Sequence, residues 1–395
     1  MRGDLRNDIL TSLARILAEN KTRIIEANRL DVVACPPDDA VILDRLKVDE
    51  AKIDKMIAAV RNVIDADDPV EKVISSHTRS DGLRIENRQV PFGTILIIFE
   101  ARPDVCIEAA IVALKAGNKI LLKGGKEARN TNLFLANLWQ QALAENDVDS
   151  DFVRYLDISR EEMRALICGQ TAKFDLVIPR GGEVLIDFVL KNSNAPVIVS
   201  GRGNNFLYID SEADFEMALA IAVDGKRRLS VCNALDKVLV NAHLPGIEAK
   251  IDRLIEAFRN VNIGIFGDAA VCGLNSGASP LSGEDIWYEE FLSARIVIGI
   301  VQNTDEAIAK INKYSGGHSA AIITTNAETA KNFLNEVDCA AVYHNASVRF
   351  TDGGQFGLGA EIAISTQKLH FRGPLGAEHL LTNKWFVFGD GQVRD

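Results

Sequence analysis

From residue 94 to residue 324, short unbroken apolar runs take turns with helical stretches, and no other feature limits the fold of this 395-residue chain as strongly. The runs fall at 94–99, 119–122, 174–178, 196–199, 237–240, 263–266, 295–300 and 320–324. Helical patterns fill the gaps: 105–115, ending at Gly117-Asn118, a second to about residue 145, one after Gly182, one near 246–259 and one at 304–312. A strand without polar alternation is buried on both faces, and such strands separated by helices build a doubly wound parallel sheet. Two or three helices precede the first of them, with Leu5, Ile9, Leu13, Ile16, Leu17, Ile24 and Ile25 on one face and Ile53, Met56, Ile57, Val60, Val63 and Ile64 on another. The tail breaks the alternation, and Trp385-Phe386-Val387-Phe388 suits a strand at a sheet edge.

Charge and cysteine usage exclude several functions. A net charge of -11 and a pI near 5.2 argue against a nucleic-acid partner or an anionic membrane surface. No run approaches the roughly 18 apolar residues of a membrane span, and no charged, apolar leader opens the chain. Cys35, Cys106, Cys168, Cys232, Cys272 and Cys339 lie far apart, without a C-x-x-C pair or a histidine at zinc-ligand spacing. Reduced thiols in a cytoplasmic protein without a metal site are the expectation.

Chemistry concentrates in three places. Cys232 closes the stretch Val223-Asp224-Gly225-Lys226-Arg227-Arg228-Leu229-Ser230-Val231-Cys232, and it alone among the cysteines has strongly basic, turn-forming neighbours upstream. Positive charge on Lys226, Arg227 and Arg228 favours a reactive thiolate if it faces the sulfur, and a helix N-terminus after Cys232 would act in the same direction. The alternative is a small buried hydrophobe. Lys123-Gly124-Gly125-Lys126 leaves a strand and enters a helix, offering backbone N–H groups and two ammonium groups to a phosphorylated cofactor; the alternative is a tight turn with solvated lysines. Arg180-Gly181-Gly182 repeats the geometry one unit later, so the two turns together fit a dinucleotide. The glycine-rich stretch from Asn345 to Ile362 is costly to order and reads as a binding loop, with Arg349 as a carboxylate or phosphate clamp or else a surface ion pair. His318 follows Ser315-Gly316-Gly317 near the site, and no histidine receives a catalytic role.

These motifs, in order, resemble the γ-glutamyl phosphate reductases, also called glutamate-5-semialdehyde dehydrogenases, of the aldehyde dehydrogenase superfamily. The resemblance rests on 91–103, Ala116-Gly117-Asn118, Leu122 to Ala128, Ile178-Pro179-Arg180-Gly181-Gly182, Val231-Cys232-Asn233-Ala234-Leu235, the 345–362 loop and Ser365-Thr366-Gln367-Lys368-Leu369-His370. It implies an α/β, aldehyde-dehydrogenase-like fold of two doubly wound domains with a small bridging and oligomerisation element. The nucleotide-binding domain is expected over 1–200 with 366–382 returning to it, the catalytic domain over 201–365, and the bridging strands at about 72–90 and 383–395.

The resemblance also implies NADPH-dependent reduction of L-glutamyl 5-phosphate to glutamate 5-semialdehyde and phosphate, in proline biosynthesis, through a thioester on Cys232. Lys123, Gly124, Gly125, Lys126, Arg180, Gly181, Gly182 and Glu290 are then the cofactor residues, and Arg102, Asn233, Arg349, Thr351, Asp352 and Gly353 the substrate residues. A homodimer or larger homo-oligomer, and a glutamate 5-kinase supplying the labile substrate, are the implied partners. Aligned from Asn205 to Asp210, the water-activating glutamate of hydrolytic relatives falls at about Ile198, which cannot act as a base. That weighs against a hydrolytic dehydrogenase, and the retained Cys232 and 349–361 loop weigh against a silent nucleotide-binding scaffold. Departures from the family pattern are Ala101 for Ser, Asp104 for Asn, the absent histidine before Asn205, the basic run at 226–228 and a short N-terminus.

Overall fold

The computed structural model describes residues 1–36, 40–169 and 173–394. The chain forms two units, Met1–Val199 with Gly357–Ala363 and Pro374–Asp395, and Ser200–Phe356 with Ile364–Gly373. Each has its own sheet and core.

In the first unit four parallel strands lie in the order Val153–Tyr155, Lys119–Gly124, Thr94–Phe99, Leu176–Arg180. Ile95, Ile97, Phe99, Ile120, Leu122 and Ile178 are buried with the helices Gly3–Glu19, Glu50–Asp65, Val105–Lys115 and Arg129–Ala144 in one apolar cluster. The 94–99 strand and the 105–115 helix fall where the apolar pattern puts them. The 174–178 run begins two residues late, because the Asp175 carboxylate accepts the Thr94 N–H at 2.7 Å and ends the ladder there. The 196–199 run makes only a single bridge, Val197 to Val177. The first predicted helix breaks at Asn20, which leaves Ile24 buried and Ile25 37% exposed on the next helix, Lys21–Ala34.

The return to the first unit differs from the expected 366–382. Ala360, Ile362 and Ala363, and then Leu375, Leu380 and Leu381, insert into its core, so the chain returns twice. Between them 364–373 stays with the second unit, where Lys368 and Arg372 both pair with Asp338. A separate antiparallel sheet joins Val73–Thr78, Arg84–Pro91 and the edge strand Leu381–Phe388. Position 395, at the end of the stretch expected to bridge, lies outside the described residues.

The second unit carries seven parallel strands in the order Ser279–Pro280, Gly264–Gly267, Arg295–Val301, Leu235–Asn241, Asn205–Ile209, Ser319–Ile323, Ala341–His344. The central strands read Phe-Leu-Tyr-Ile, Val-Leu-Val and Ala-Ala-Ile-Ile and are buried on both faces, as parallel strands between helices must be. The fold is therefore α/β with parallel sheets. Among the described residues no helix is long and apolar enough to cross a membrane.

Candidate active site

In the second unit the strands at 235–241, 205–209 and 319–323 are neighbours, and Cys232, Asn205 and Ser319 all sit at their amino ends. Cys232 is half-buried and in no disulfide, on the turn that enters the 235–241 strand. No helix follows it, which corrects the expected helix N-terminus: the preceding helix, Phe215–Gly225, ends seven residues upstream, and Leu235 is already paired with Asn205.

Two groups hold the Cys232 backbone. The buried Asn205 side chain donates from Nδ2 to the carbonyls of Cys232 and Ala234, both at 2.7 Å. Gly203 lies flat against the Cys232 peptide: a Cβ there would stand 2.5 Å from the Cα and carbonyl carbon of Cys232 and closer still to its oxygen. Gly203→Ala must move Cys232. With Asn205 holding the turn, a shift of order 1 Å is expected to lower kcat by ~10²-fold with the unfolding midpoint little changed. Wild-type kcat in that variant would show that the turn relaxes freely.

Asn233, Arg349 and Thr351 come together. Asn233 Nδ2 donates to the carbonyls of Arg349 at 3.1 Å and Thr351 at 3.0 Å, while the Arg349 guanidinium donates to Asn233 Oδ1. Arg349 is no exposed ion-pair residue: burial, then the like charge of Arg228, lower its affinity for its proton, with Asp224, Asp352 and Cys232 acting against them. Asp352 instead folds its own turn, Oδ1 accepting from the Gly354 N–H at 3.0 Å, and Gly353 lies buried beside it.

The basic run divides. Lys226 is fully buried and its Nζ meets Asp236 Oδ1 at 2.5 Å, so its charge is committed to a carboxylate rather than to the thiol. Burial, opposed by Asp236, pulls the Lys226 ammonium down from its ordinary range. Asp236 Oδ2 accepts the Phe291 N–H at 2.8 Å, and the buried Lys237 donates to Glu289 O at 2.8 Å with its Nζ 3.9 Å from the centre of the Phe291 ring. These contacts fix the irregular loop that carries Glu290.

In the first unit the expected cofactor turns follow the carboxyl ends of their strands. Gly124 ends the 119–124 strand and Gly125 precedes a single 3₁₀ turn, Lys126–Ala128. A Cβ on Gly124 would collide with Asn132 and crowd Phe99 and Tyr155, so that glycine is required by packing alone. Lys123 is partly buried, which lowers its pKa, and it donates to Gly124 O at 2.7 Å; Lys126 follows Gly125 on the turn. The 129–144 helix N-terminus is not available to a phosphate. Asp31 fills it, accepting from the N–H groups of Asn130 and Thr131 at 3.0 and 2.8 Å.

The second turn is likewise occupied. Arg180 Nη1 donates to Ile362 O at 3.0 Å, and the Glu100 carboxylate takes the Gly182 N–H at 3.2 Å, at the N-cap of the Glu183–Asn192 helix. A Cβ on Gly181 would strike the same carboxylate. Arg180 and Gly181 thus brace the first unit in this structure. Arg102 stands in the turn after the 94–99 strand, two residues before Asp104. Burial, and then the Asp104 charge, push the Glu108 carboxyl up to about 8, so it carries a proton at neutral pH.

The residues that sequence reasoning missed are Gly203, Asn205, Ser319, Asp236 and Lys237. An asparagine opening an apolar strand at 205 and a charged pair opening another at 236–237 were the available signals.

Comparison with known proteins agrees with this architecture. The model of the aldehyde dehydrogenase family matches residues 1–272 and 281–359. A relative named gamma-glutamyl phosphate reductase in Dictyoglomus thermophilum is 41% identical over 393 residues, 99% of this chain and 94% of the relative. One of the same name from Clostridium botulinum is 42% identical, covering 98% and 94%. The crystal structure of gamma-glutamyl phosphate reductase from Thermotoga maritima superimposes with a TM-score of 0.90 at 40% identity, covering 100% of this chain and 95% of that one.

Proposed function

Because the chain belongs to the aldehyde dehydrogenase family and, within it, to the γ-glutamyl phosphate reductases, we propose that it reduces L-glutamyl 5-phosphate to L-glutamate 5-semialdehyde with release of phosphate. This is the second step in forming proline from glutamate, and NADPH is the reductant. The observation that carries the reading is the seating of Cys232: its backbone is pinned by Gly203 and Asn205 while the Asn233 amide and Arg349 guanidinium are locked beside it.

The Cys232 thiolate attacks the acyl carbon, the tetrahedral oxyanion takes the Cys232 N–H, and the C–O bond to phosphate breaks to leave a thioester. Arg349 binds an anionic oxygen of the substrate, with Thr351, Asp352, Gly353 and Arg102 as the remaining substrate residues. At about position 198, where the water-activating glutamate of hydrolytic relatives aligns, stands isoleucine, which cannot serve as the base for hydrolysis of a thioester. A bound nicotinamide would supply the hydride for the reduction to aldehyde.

The glycine-flanked turn from Lys123 to Lys126 fits a polyanionic dinucleotide: two ammonium groups, one of them desolvated, at the carboxyl end of a parallel strand. Lys123, Gly124, Gly125 and Lys126 would hold it, with open space at Gly182 and Glu290 on its braced loop. Arg180 and Gly181, already engaged, support rather than contact it. The chain acts in the cytoplasm as a homo-oligomer and receives its labile acyl phosphate from a glutamate 5-kinase.

The test runs the reaction backwards, following NADP reduction with glutamate 5-semialdehyde and phosphate. Turnover that requires phosphate is expected; equal turnover without phosphate would mean hydrolysis and sink the proposal.

A further inference from the structure

We infer that Ser319 and His318 are positioning residues for this reaction: acting through Thr351, they set the Asn233 amide and the Arg349 guanidinium beside Cys232. The inference rests on Cys232 being the nucleophile and adds what holds its neighbours.

His318, Ser319 and Thr351 are each fully buried. His318 Nδ1 and Ser319 Oγ share a hydrogen bond of 2.7 Å, Ser319 Oγ and Thr351 Oγ1 another of 2.7 Å, and the Tyr343 phenol reaches Thr351 Oγ1 at 2.8 Å. Each hydroxyl has one proton to give and two lone pairs to accept with, so the row can run in either direction. Either the imidazole donates to Ser319 and Ser319 to Thr351, or Tyr343 donates to Thr351, Thr351 to Ser319 and Ser319 to the imidazole. In both cases the Thr351 hydroxyl is gripped from two sides in an interior where a broken link leaves polar groups unpaired.

Thr351 passes that restraint on through its backbone. Its carbonyl and that of Arg349 accept the two N–H groups of the Asn233 amide, whose oxygen in turn receives the Arg349 guanidinium. A short 3₁₀ turn, Val348–Phe350, joins the two carbonyls, and Ser347 Oγ accepts the Arg349 N–H at 3.3 Å. The unbroken path is therefore His318, Ser319, Thr351, Asn233, Cys232. Ser319 opens one strand and Cys232 precedes another, with the 205–209 strand between them. The row thus ties the turn that carries Cys232 to the second strand along. Had these groups served packing alone, apolar side chains would fill the space at lower desolvation cost.

The experiment compares wild type with Ser319→Ala, Thr351→Val and Thr351→Ser in the phosphate-dependent reverse reaction, reading kcat, the KM values and the unfolding midpoint. Thr351→Val keeps the shape and loses the hydroxyl; it is expected to lower kcat by at least about tenfold and raise KM for phosphate or semialdehyde while leaving KM for NADP unchanged. Thr351→Ser, which keeps the hydroxyl, is expected to restore both. A wild-type kcat in Thr351→Val, or equal losses in the Val and Ser variants, overturns the inference. If Thr351→Val does not fold, Ser319→Ala decides by the same two constants. If wild type itself shows no phosphate-dependent turnover, the proposed function has failed. The row is then judged by the rate of iodoacetamide alkylation mapped to Cys232, which Thr351→Val must slow for the inference to stand.

Discussion

Cys232→Ala is expected to lower phosphate-dependent NADP reduction by at least ~10³-fold, because it removes the atom proposed to carry the acyl group and no other thiol can take its place. Burial pushes Cys106 up to about 12 and Cys339 to about 11, so neither forms a thiolate at neutral pH. The three remaining cysteines, Cys35, Cys168 and Cys272, are half-buried, and Cys272 already points its thiol at the carbonyl of Gly267, 3.4 Å away. The substitution deletes one sulfur from a half-buried position and breaks no contact of the Asn205 amide with the Cys232 carbonyl. Folding and NADP binding should therefore survive, measured by the unfolding midpoint and by a fluorescence titration with the cofactor. Residual turnover above a few per cent in a correctly folded variant would remove Cys232 from the mechanism.

How far the sequence led follows from what kind of contact each residue makes. The 94–99 strand and the 105–115 helix were legible because local periodicity and burial on both faces agree over their whole length. Cys232 and Arg349 were singled out from their own neighbours, Asn233 and Thr351 through family resemblance. Their supports were not: Gly203, Asn205 and Ser319 reach them only because strands far apart in the chain are neighbours in the sheet. The usual rule for open α/β sheets places ligands at the carboxyl ends of strands, whereas this thiol sits at the amino ends of the second unit's strands, so the rule pointed away from it. The basic run misled for a related reason. Lys226 looks like a charge meant for a thiolate, until the fold brings Asp236 from the next strand to its ammonium. Glu100 and Asp31 show the same effect in the first unit, each filling a helix N-terminus that the turn sequence alone leaves open for phosphate.

The Lys226–Asp236 pair makes the second large prediction, on stability. Both side chains are essentially without solvent contact, so Asp236→Ala leaves a buried ammonium and an unpaired Phe291 N–H, at an expected cost of about 3–5 kcal/mol in denaturant unfolding. Replacing both partners, as Lys226→Met with Asp236→Leu, removes the charge with its counter-charge. That variant is expected to recover most of the loss, because the desolvation of two ions disappears along with their attraction. If the single and double variants are equally unstable, packing and not charge holds this corner. Lys237 next to the pair supplies the pH signature. Burial pushes its ammonium down to about 7, against an ordinary value near 10.5. Between those values the unfolded chain holds a proton that the folded chain has released, so native stability must climb as pH rises from 7 towards 10.5, the penalty being complete below 7. Lys237→Met should flatten that climb, and in the Asp236→Ala background the climb should begin at lower pH, since Asp236 is the group that most favours the charged form of Lys237. A wild-type slope in Lys237→Met would assign the climb to other groups and leave the loop around Glu290 held by Asp236 alone.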